Sequence, residues 1–425
     1  MPSLTKFNWS WVAFSAIIFF AALAGIPDPA PAQTINPAQQ QISVPGSAFA
    51  VSTTRDGRYV FVSFGGATTG GVAVLRQMRR SAALVQVIPV CGPAFGMAMS
   101  KGGRYLLVAV QSGSCASGGV QFIDVRKAIA GDPSAAMGTV PTDSSAIEVA
   151  ISPDNKSVFV ANEFSSGRTC ENPMKGAAPT PDTVSLIDFQ EALSSGQSPS
   201  SIKATIPLDC GVVGLAVSSD NRYLYVTNET ALPTRPFYDS TVCNIPDGAN
   251  CPVVTSPGPA GTLDVVDISM AASNPDGSVV AEIPAGCSPT RVILTHKNKI
   301  AWVSARDENN LLAFNAIDII TNPSALPLST VPVGIAPDGV QPFSNGRFYA
   351  VANTNRFDSC PGAGGTVSIL KVGKGLFTKT VGAFDAGVFP RQWALSPNGK
   401  LLYLTEYDSA ILAIFPVSSI VDQIQ

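Results

Sequence analysis

Charge is scarce in this chain of 425 residues. Asp, Glu, Lys and Arg make up 13% of it, and 27 Lys+Arg face 30 Asp+Glu for a formal net charge of −3. So little charge cannot solvate long exposed helices. There is also no basic cluster to hold a phosphate backbone, which excludes nucleic acid as a partner. Histidine is rarer still: His296 is the single one, and no two cysteines are spaced CxxC, so a Cys/His zinc site cannot be assembled. Covalent haem would need CxxCH, which is absent. So are G-x-S-x-G, HExxH, a Gly-rich phosphate loop entering a helix, and an Asp-rich EF-hand loop. No metal and no cofactor are expected. What is plentiful is Gly (37) and Pro (34) in a chain that is 45% hydrophobic. That balance excludes disorder and fits many short strands joined by tight turns, an all-β fold.

Residues 1–32 read as a targeting segment. Lys6 is the only charge before an apolar run from Trp11 to Ala24, about 14 residues, which suits a signal-peptide core and is short of the roughly 20 that span a bilayer. Ala30-Pro31-Ala32 supplies the small residues of a cleavage site, so the mature chain should begin at Gln33. No later segment approaches spanning length. A secreted or periplasmic protein is expected, with residues 33–40 as a short linker and 41–425 as the folded domain. In such a compartment the eight cysteines (Cys91, Cys115, Cys170, Cys210, Cys243, Cys251, Cys287 and Cys360) read as an oxidised set.

The strongest signal is repetition. Phe49–Ser52 and Tyr59–Val62 flank Asp56-Gly57; Met97–Ser100 and Tyr105–Val108 flank Gly103. The pattern returns as Val149–Ser152 with Val158–Val160, Leu215–Ser218 with Tyr223–Val226, and Val292–Thr295 with Ala301–Val303. Two more copies centre on Asn345-Gly346 and Asn398-Gly399. Asp-Gly, Asp-Asn and Asn-Gly tolerate the positive φ of a hairpin turn, and the β-branched and aromatic flanks suit packed strands. A third strand follows each pair, as in Thr183–Asp188, and then a fourth, as in Ala204–Pro207. Seven such units predict a seven-bladed β-propeller of four-stranded antiparallel blades. The leftover strand Gln41–Pro45 precedes the first pair and should close the last blade from outside, since a ring otherwise leaves an open edge.

Tyr225-Val226-Thr227-Asn228, with the variants Val160-Ala161-Asn162 and Val351-Ala352-Asn353, resembles the signature of the YVTN family of β-propeller repeats. Ile206-Pro207, Gly214–Ser218 and Val184–Asp188 match the longer pattern, and the resemblance covers about residues 41 to 416. It implies an extracytoplasmic propeller of a kind that includes surface and binding proteins. Propellers of similar architecture include lactonases of the phosphogluconolactonase type and haem or quinone oxidoreductase subunits. A haem d1-type propeller needs an axial histidine, whereas His296 falls in a hairpin turn and reads as a solvated surface residue.

On a propeller, strand 1 of each blade lines the channel, and the 2→3 and 4→1 loops share one face. Cys91, Cys210 and Cys287 fall in 4→1 loops and the other five cysteines in 2→3 loops, so all eight belong to that face. The two longest insertions, Phe164–Pro181 and Thr230–Ala260, belong there too. Cys91 with Cys115, and Cys210 with Cys243 or Cys251, are the expected pairs; the rest cannot be paired from sequence. Such stapling makes either a preorganised binding surface or a guard against proteolysis. At the start of strand 1, Gly96, Gly214 and Gly339 keep the family's glycine. Glu148, Arg291 and Gln392, with Arg391 beside it, replace it and should project toward the axis. They are the candidate ligand-binding residues, able to hold a polar or anionic group. Glu163, Glu229, Arg306, Asp307 and Glu406, after strand 2, add to the rim. The leading expectation is a binding or scaffold module for a protein, glycan or small polar ligand. The alternative is a lactonase- or cyclase-like enzyme with Glu148 as acid/base and Arg291 and Arg391 stabilising an oxyanion.

Overall fold

In the computed structural model the chain divides into Met1–Ala32 and Gln33–Gln425. The residues described are 32–424, apart from 67–68, 80, 114–117, 144, 166–169, 171–178, 244–258, 357–363, 374–375 and 377. The second unit is the seven-bladed propeller. Blade 1 comprises Ser47–Thr53, Tyr59–Gly65, Gly70–Gln77 and Ala82–Val90; blade 2, Ala94–Met99, Tyr105–Val110, Gly119–Asp124 and Ala136–Pro141. Blade 3 comprises Ala146–Ile151, Ser157–Asn162, Thr183–Asp188 and Ile202–Pro207; blade 4, Cys210–Val217, Tyr223–Thr230, Thr262–Asp267 and Val279–Pro284. Blade 5 comprises Pro289–Thr295, Ile300–Ala305, Asn310–Asn315 and Ser329–Pro332; blade 6, Pro337–Phe343, Phe348–Asn353, Thr366–Val372 and Thr378–Asp385. Blade 7 is Pro390–Leu395, Leu401–Glu406 and Ile411–Pro416, completed by Gln40–Ser43. Each strand 1 touches the strand 1 of the next blade, and that of blade 7 touches blade 1, so the ring is closed.

The closing strand is the one expected, begun one residue earlier: Gln40 pairs antiparallel with Ile414 and Ser43 with Ile411. Within 33–40, Gln33 and Thr34 add a parallel fifth strand to the outside of blade 6, opposite Gly382 and Ala383. Ile35 is buried beside them with Phe384, Phe415 and Ile420. Both ends of the domain are thereby tied to the same two blades, which supplies pairing to edges that would otherwise be bare.

Each blade packs between two neighbours, so strands 2 and 3 are buried on both sides. Leu106–Val110 and Val158–Ala161 are fully buried continuous apolar runs, not alternating ones. Trp302 of blade 5 meets Tyr349 of blade 6, ring centroids 5.2 Å apart. The 1→2 turns use a recurrent device. The hydroxyls of Ser100, Ser152, Ser218 and Ser396 accept from the amide five residues on, at 3.0, 2.9, 2.9 and 2.9 Å. Positive φ falls on Gly57, Gly103, Asn155, Asn221 and Gly399, as the turn chemistry demands. His296 lies in such a turn (φ 52°), exposed, its Nδ1 beside Thr295 Oγ1. The terminal asparagine of strand 2 ties that strand to strand 3. Asn162 Nδ2 donates to Thr183 and Ser185, Asn228 Nδ2 to Thr262 and Asp264, and Asn353 Nδ2 to Thr366 and Ser368. In blades 2 to 4 strand 3 ends on an aspartate (Asp124, Asp188, Asp267) whose carboxylate caps a short helix, which the sequence pattern did not reveal. Among the described residues no helix is long and apolar enough to cross a membrane.

Candidate functional site

The strands that line the channel share one irregularity. In all seven blades the pairing of strand 1 with strand 2 slips near its start, at Ala48/Val51, Ala94/Met97, Ala146/Glu148, Val212/Gly214, Pro289/Arg291, Pro337/Val340 and Pro390/Trp393. A bulge there inserts unpaired residues and re-aims their side chains. The inserted or adjacent residues are Glu148, Arg291, Asp338 and the pair Arg391-Gln392. The glycines between them are required by space. A Cβ on Gly339 would lie 2.1 Å from the Arg391 carbonyl oxygen, one on Gly214 2.7 Å from that of Thr290, and one on Gly96 2.1 Å from Glu148 Oε1.

Those charged groups form one connected network. Arg291 Nη1 and Gln392 Nε2 both donate to Glu148 Oε2, the second at 2.9 Å. Arg291 Nε donates to Asp338 Oδ1 at 2.9 Å, and Arg391 Nε stands 3.4 Å from Asp338 Oδ2. Glu148, Arg291, Arg391 and Gln392, drawn from blades 3, 5 and 7, thus converge as the sequence suggested. Asp338 was missed because Gly339 beside it satisfied the repeat pattern. Burial opposes ionisation of the Asp338 carboxyl, but Arg291 and Arg391 outweigh it and hold it below the usual carboxylate range. Burial pushes the Arg391 guanidinium down to about 10. Its plane lies 3.9 Å over the Phe49 ring, with Phe389 and Tyr407 at 5.3 and 5.9 Å. Phe389 takes a left-handed φ of 57°, but so do Ser288 (48°) and Ala336 (53°) before the same strand of blades 5 and 6. The turn belongs to the repeat; the ring belongs to the pit.

Above this network, on the loop-rich face, Glu163, Glu229, Arg306 and Arg356 close a pit whose wall also includes Arg291, Asp338 and Arg391. It encloses about 350 Å³ counting its open mouth, with room for roughly one water between the side chains. Arg306 Nη1 donates to Glu229 Oε1 at 2.5 Å and its Nε to Asp307 at 3.0 Å; Arg356 Nη1 is 3.6 Å from Glu229. Burial alone would lower the Arg306 guanidinium, but Glu229 and Asp307 raise it overall. Glu163 differs: burial first, then Glu229, lifts its carboxyl to about 7 despite three arginines. Arg356 carried no signal in the sequence reading, since it follows strand 2 of blade 6 by three residues. Glu406 stands apart from the pit. It occupies the strand-2 position that is asparagine in three other blades, fully buried, with burial raising its carboxyl.

The disulfides follow a rule other than the one expected. Cys170 joins Cys210 and Cys243 joins Cys287, so neither Cys243 nor Cys251 is the partner of Cys210. The reason is the path of the chain. The connection leaving a blade's strand 4 runs beside the start of its strand 3, as Leu208 N to Asp182 O (2.9 Å) and Ala285 N to Gly261 O (2.9 Å) show. A 2→3 loop therefore meets its own blade's outgoing connection, not the incoming one. Cys91 is disulfide-bonded; its expected partner Cys115, like Cys251 and Cys360, lies outside the described residues. Arg235 fastens the blade 4 loop further, donating to Asp209 and Glu282 at 2.7 Å each. Cys243, Cys287 and Glu308 bring three ligand-type atoms within 4.8 Å of one another, but the two sulfurs are bonded and offer no thiolate. Closing chain segments of 40 and 44 residues, each bond should contribute about 4 kcal/mol by constraining the unfolded chain. Non-reducing peptide mapping should recover these two pairs, and Cys210→Ser should lower the thermal midpoint. Recovery of Cys210 joined to Cys251 would refute the assignment.

No protein-family model matches the chain, and no curated protein sequence matches it. Among solved structures the fold is similar to Kuenenia stuttgartiensis hydrazine synthase. The TM-score is 0.60 at 15% sequence identity, covering 89% of this chain and 98% of that one. At that identity the likeness carries the propeller fold alone.

Proposed function

We propose that this protein is an extracytoplasmic, YVTN-type binding module that takes a polar ligand in the arginine-lined pit of its loop-rich face. The observation that carries this reading is Arg391. It is a half-buried guanidinium packed on three aromatic rings, whose buried Nε finds no hydrogen-bond partner among the described residues. A buried cation left short of hydrogen bonds is costly unless a ligand completes it. The disulfide-tied loops around the mouth hold its shape, which lowers the entropy lost on binding. A signal peptide over residues 1–32 agrees with the oxidised cysteines. The lactonase- or cyclase-like alternative asks Glu148 to act as acid/base, yet its Oε2 already accepts from both Arg291 and Gln392. In the binding reading Glu148 positions Arg291. A panel of small polar ligands and glycans should bind the purified protein and lose at least tenfold affinity in Arg391→Met. A lactone panel should give no turnover above buffer; turnover abolished by Glu148→Gln would replace the binding reading with the enzymatic one.

A further inference from the structure

The pit has a charge balance that narrows its ligand, and the inference from it rests on the binding reading above. Four guanidinium groups, of Arg291, Arg306, Arg356 and Arg391, face four carboxylates: Glu163, Glu229, Asp338 and, bonded beneath to Arg291, Glu148. Asp307, paired with Arg306, is a fifth, so with every acid ionised the net charge of the set is −1. Three of the cations are matched. Arg291 is held between Glu148 and Asp338, Arg306 between Glu229 and Asp307, and Arg356 stands 3.6 Å from Glu229. Among the described residues Arg391 has only Asp338, at 3.4 Å and shared with Arg291.

Glu163 is the opposite case. It is 7% exposed and forms no ion pair among the described residues. The groups that face it are Glu229 from blade 4, Arg306 from blade 5, Arg356 from blade 6 and Arg391 from blade 7. An anion arriving on Arg391 would bring a sixth negative charge into this cluster beside the buried Glu163 carboxylate. Low dielectric makes that repulsion large, and Glu163, which no ion pair holds among the described residues, is placed to relieve it by taking a proton.

We propose that the pit takes the carboxylate head of a small ligand together with one proton: the carboxylate seats on the Arg391 guanidinium, and the proton, drawn from solvent, resides on Glu163. No covalent bond is made or broken; the charge of the carboxylate and that of the proton cancel, so the net charge of the pit is unchanged. A planar carboxylate suits the fork of a guanidinium whose face is already covered by Phe49. The pit is small, so the body of such a ligand would remain in its mouth. Since the Glu163 carboxyl sits at about 7, binding at pH 7 captures roughly half a proton. Above that pH the affinity falls about tenfold per unit.

Isothermal titration of the purified protein with succinate, from pH 5.5 to 8.5 in buffers of differing ionisation enthalpy, tests this. The expected result is proton uptake rising from near none at pH 5.5 to nearly one at pH 8.5, with the dissociation constant rising about tenfold over the last unit. Glu163→Gln, shaped like the protonated side chain, should bind succinate without proton uptake and with a flat pH profile. Arg391→Lys keeps the charge but loses the fork, and should weaken binding at least tenfold. Succinate bound with no proton uptake in the wild-type protein would overturn the coupling and leave the binding reading standing. Preferential binding of inorganic phosphate would overturn the carboxylate assignment. Absence of binding by either anion at every pH would remove the arginine pit as a ligand site, and the binding reading with it.

Discussion

Replacing Asp338 by asparagine is expected to destabilise the protein by about 3–5 kcal/mol, because one buried carboxylate serves two largely desolvated, half-buried guanidiniums. Among the described residues its loss leaves Arg391 with no carboxylate within ion-pair distance and Arg291 with Glu148 alone. Breaking a buried pair costs far more than an exposed one, since the orphaned charge keeps its desolvation penalty. The same group sets a pH dependence. Its folded-state pKa is depressed below the ordinary 3.8, so its contribution is fully present above the unfolded value and lost as pH falls through the folded one. Urea unfolding at pH 7 should show a lower midpoint at unchanged slope. A loss under about 1 kcal/mol would mean that water, not Asp338, satisfies the two arginines.

Glu163→Gln should act in the other direction. The wild-type carboxyl is raised from 4.5 to about 7, so the folded protein holds a proton that the unfolded chain has already released. The cost of ionising Glu163 is absent below about 4.5, grows between 4.5 and 7, and is complete above 7, on the order of 3 kcal/mol. The glutamine variant avoids it. Unfolding midpoints should therefore rise relative to wild type at pH 8 and coincide with it near pH 4.5. Equal midpoints at both values would show that Glu163 is hydrated. Asp338 and Glu163 line the same pit, yet their substitutions have opposite signs. The difference is that Asp338 has guanidiniums at contact distance, whereas Glu163 meets them only at longer range and lies near Glu229.

Much of the channel was legible because it sits on a repeat. Once strand 1 is located seven times, the residues that replace Gly96, Gly214 and Gly339 announce themselves, and Glu148, Arg291, Arg391 and Gln392 do converge. Asp338 and Arg356 were not legible. Asp338 stands beside Gly339, which satisfied the repeat pattern, so nothing marked blade 6 as departing from it although the bulge there re-aims its neighbour. Arg356 comes from beyond the end of strand 2, where no pattern applies. The disulfides failed for a related reason. Cysteine positions assign a face, but Cys170–Cys210 and Cys243–Cys287 depend on which side of the 2→3 loop the outgoing connection passes.

Strand number, turn chemistry and ring closure were determined by the sequence alone, because Asp-Gly and Asn-Gly turns, strand-2 asparagines and the spare strand at Gln40–Ser43 act locally or by simple pairing. Tertiary structure alone decided which charges are matched. Ion pairing across blades 3, 5, 6 and 7 depends on ångström-scale placement at the axis, to which bulges and neighbouring blades contribute together. The same placement leaves Arg391 short of hydrogen bonds and Glu163 near neutrality, and no residue's identity reveals that before the ring is closed.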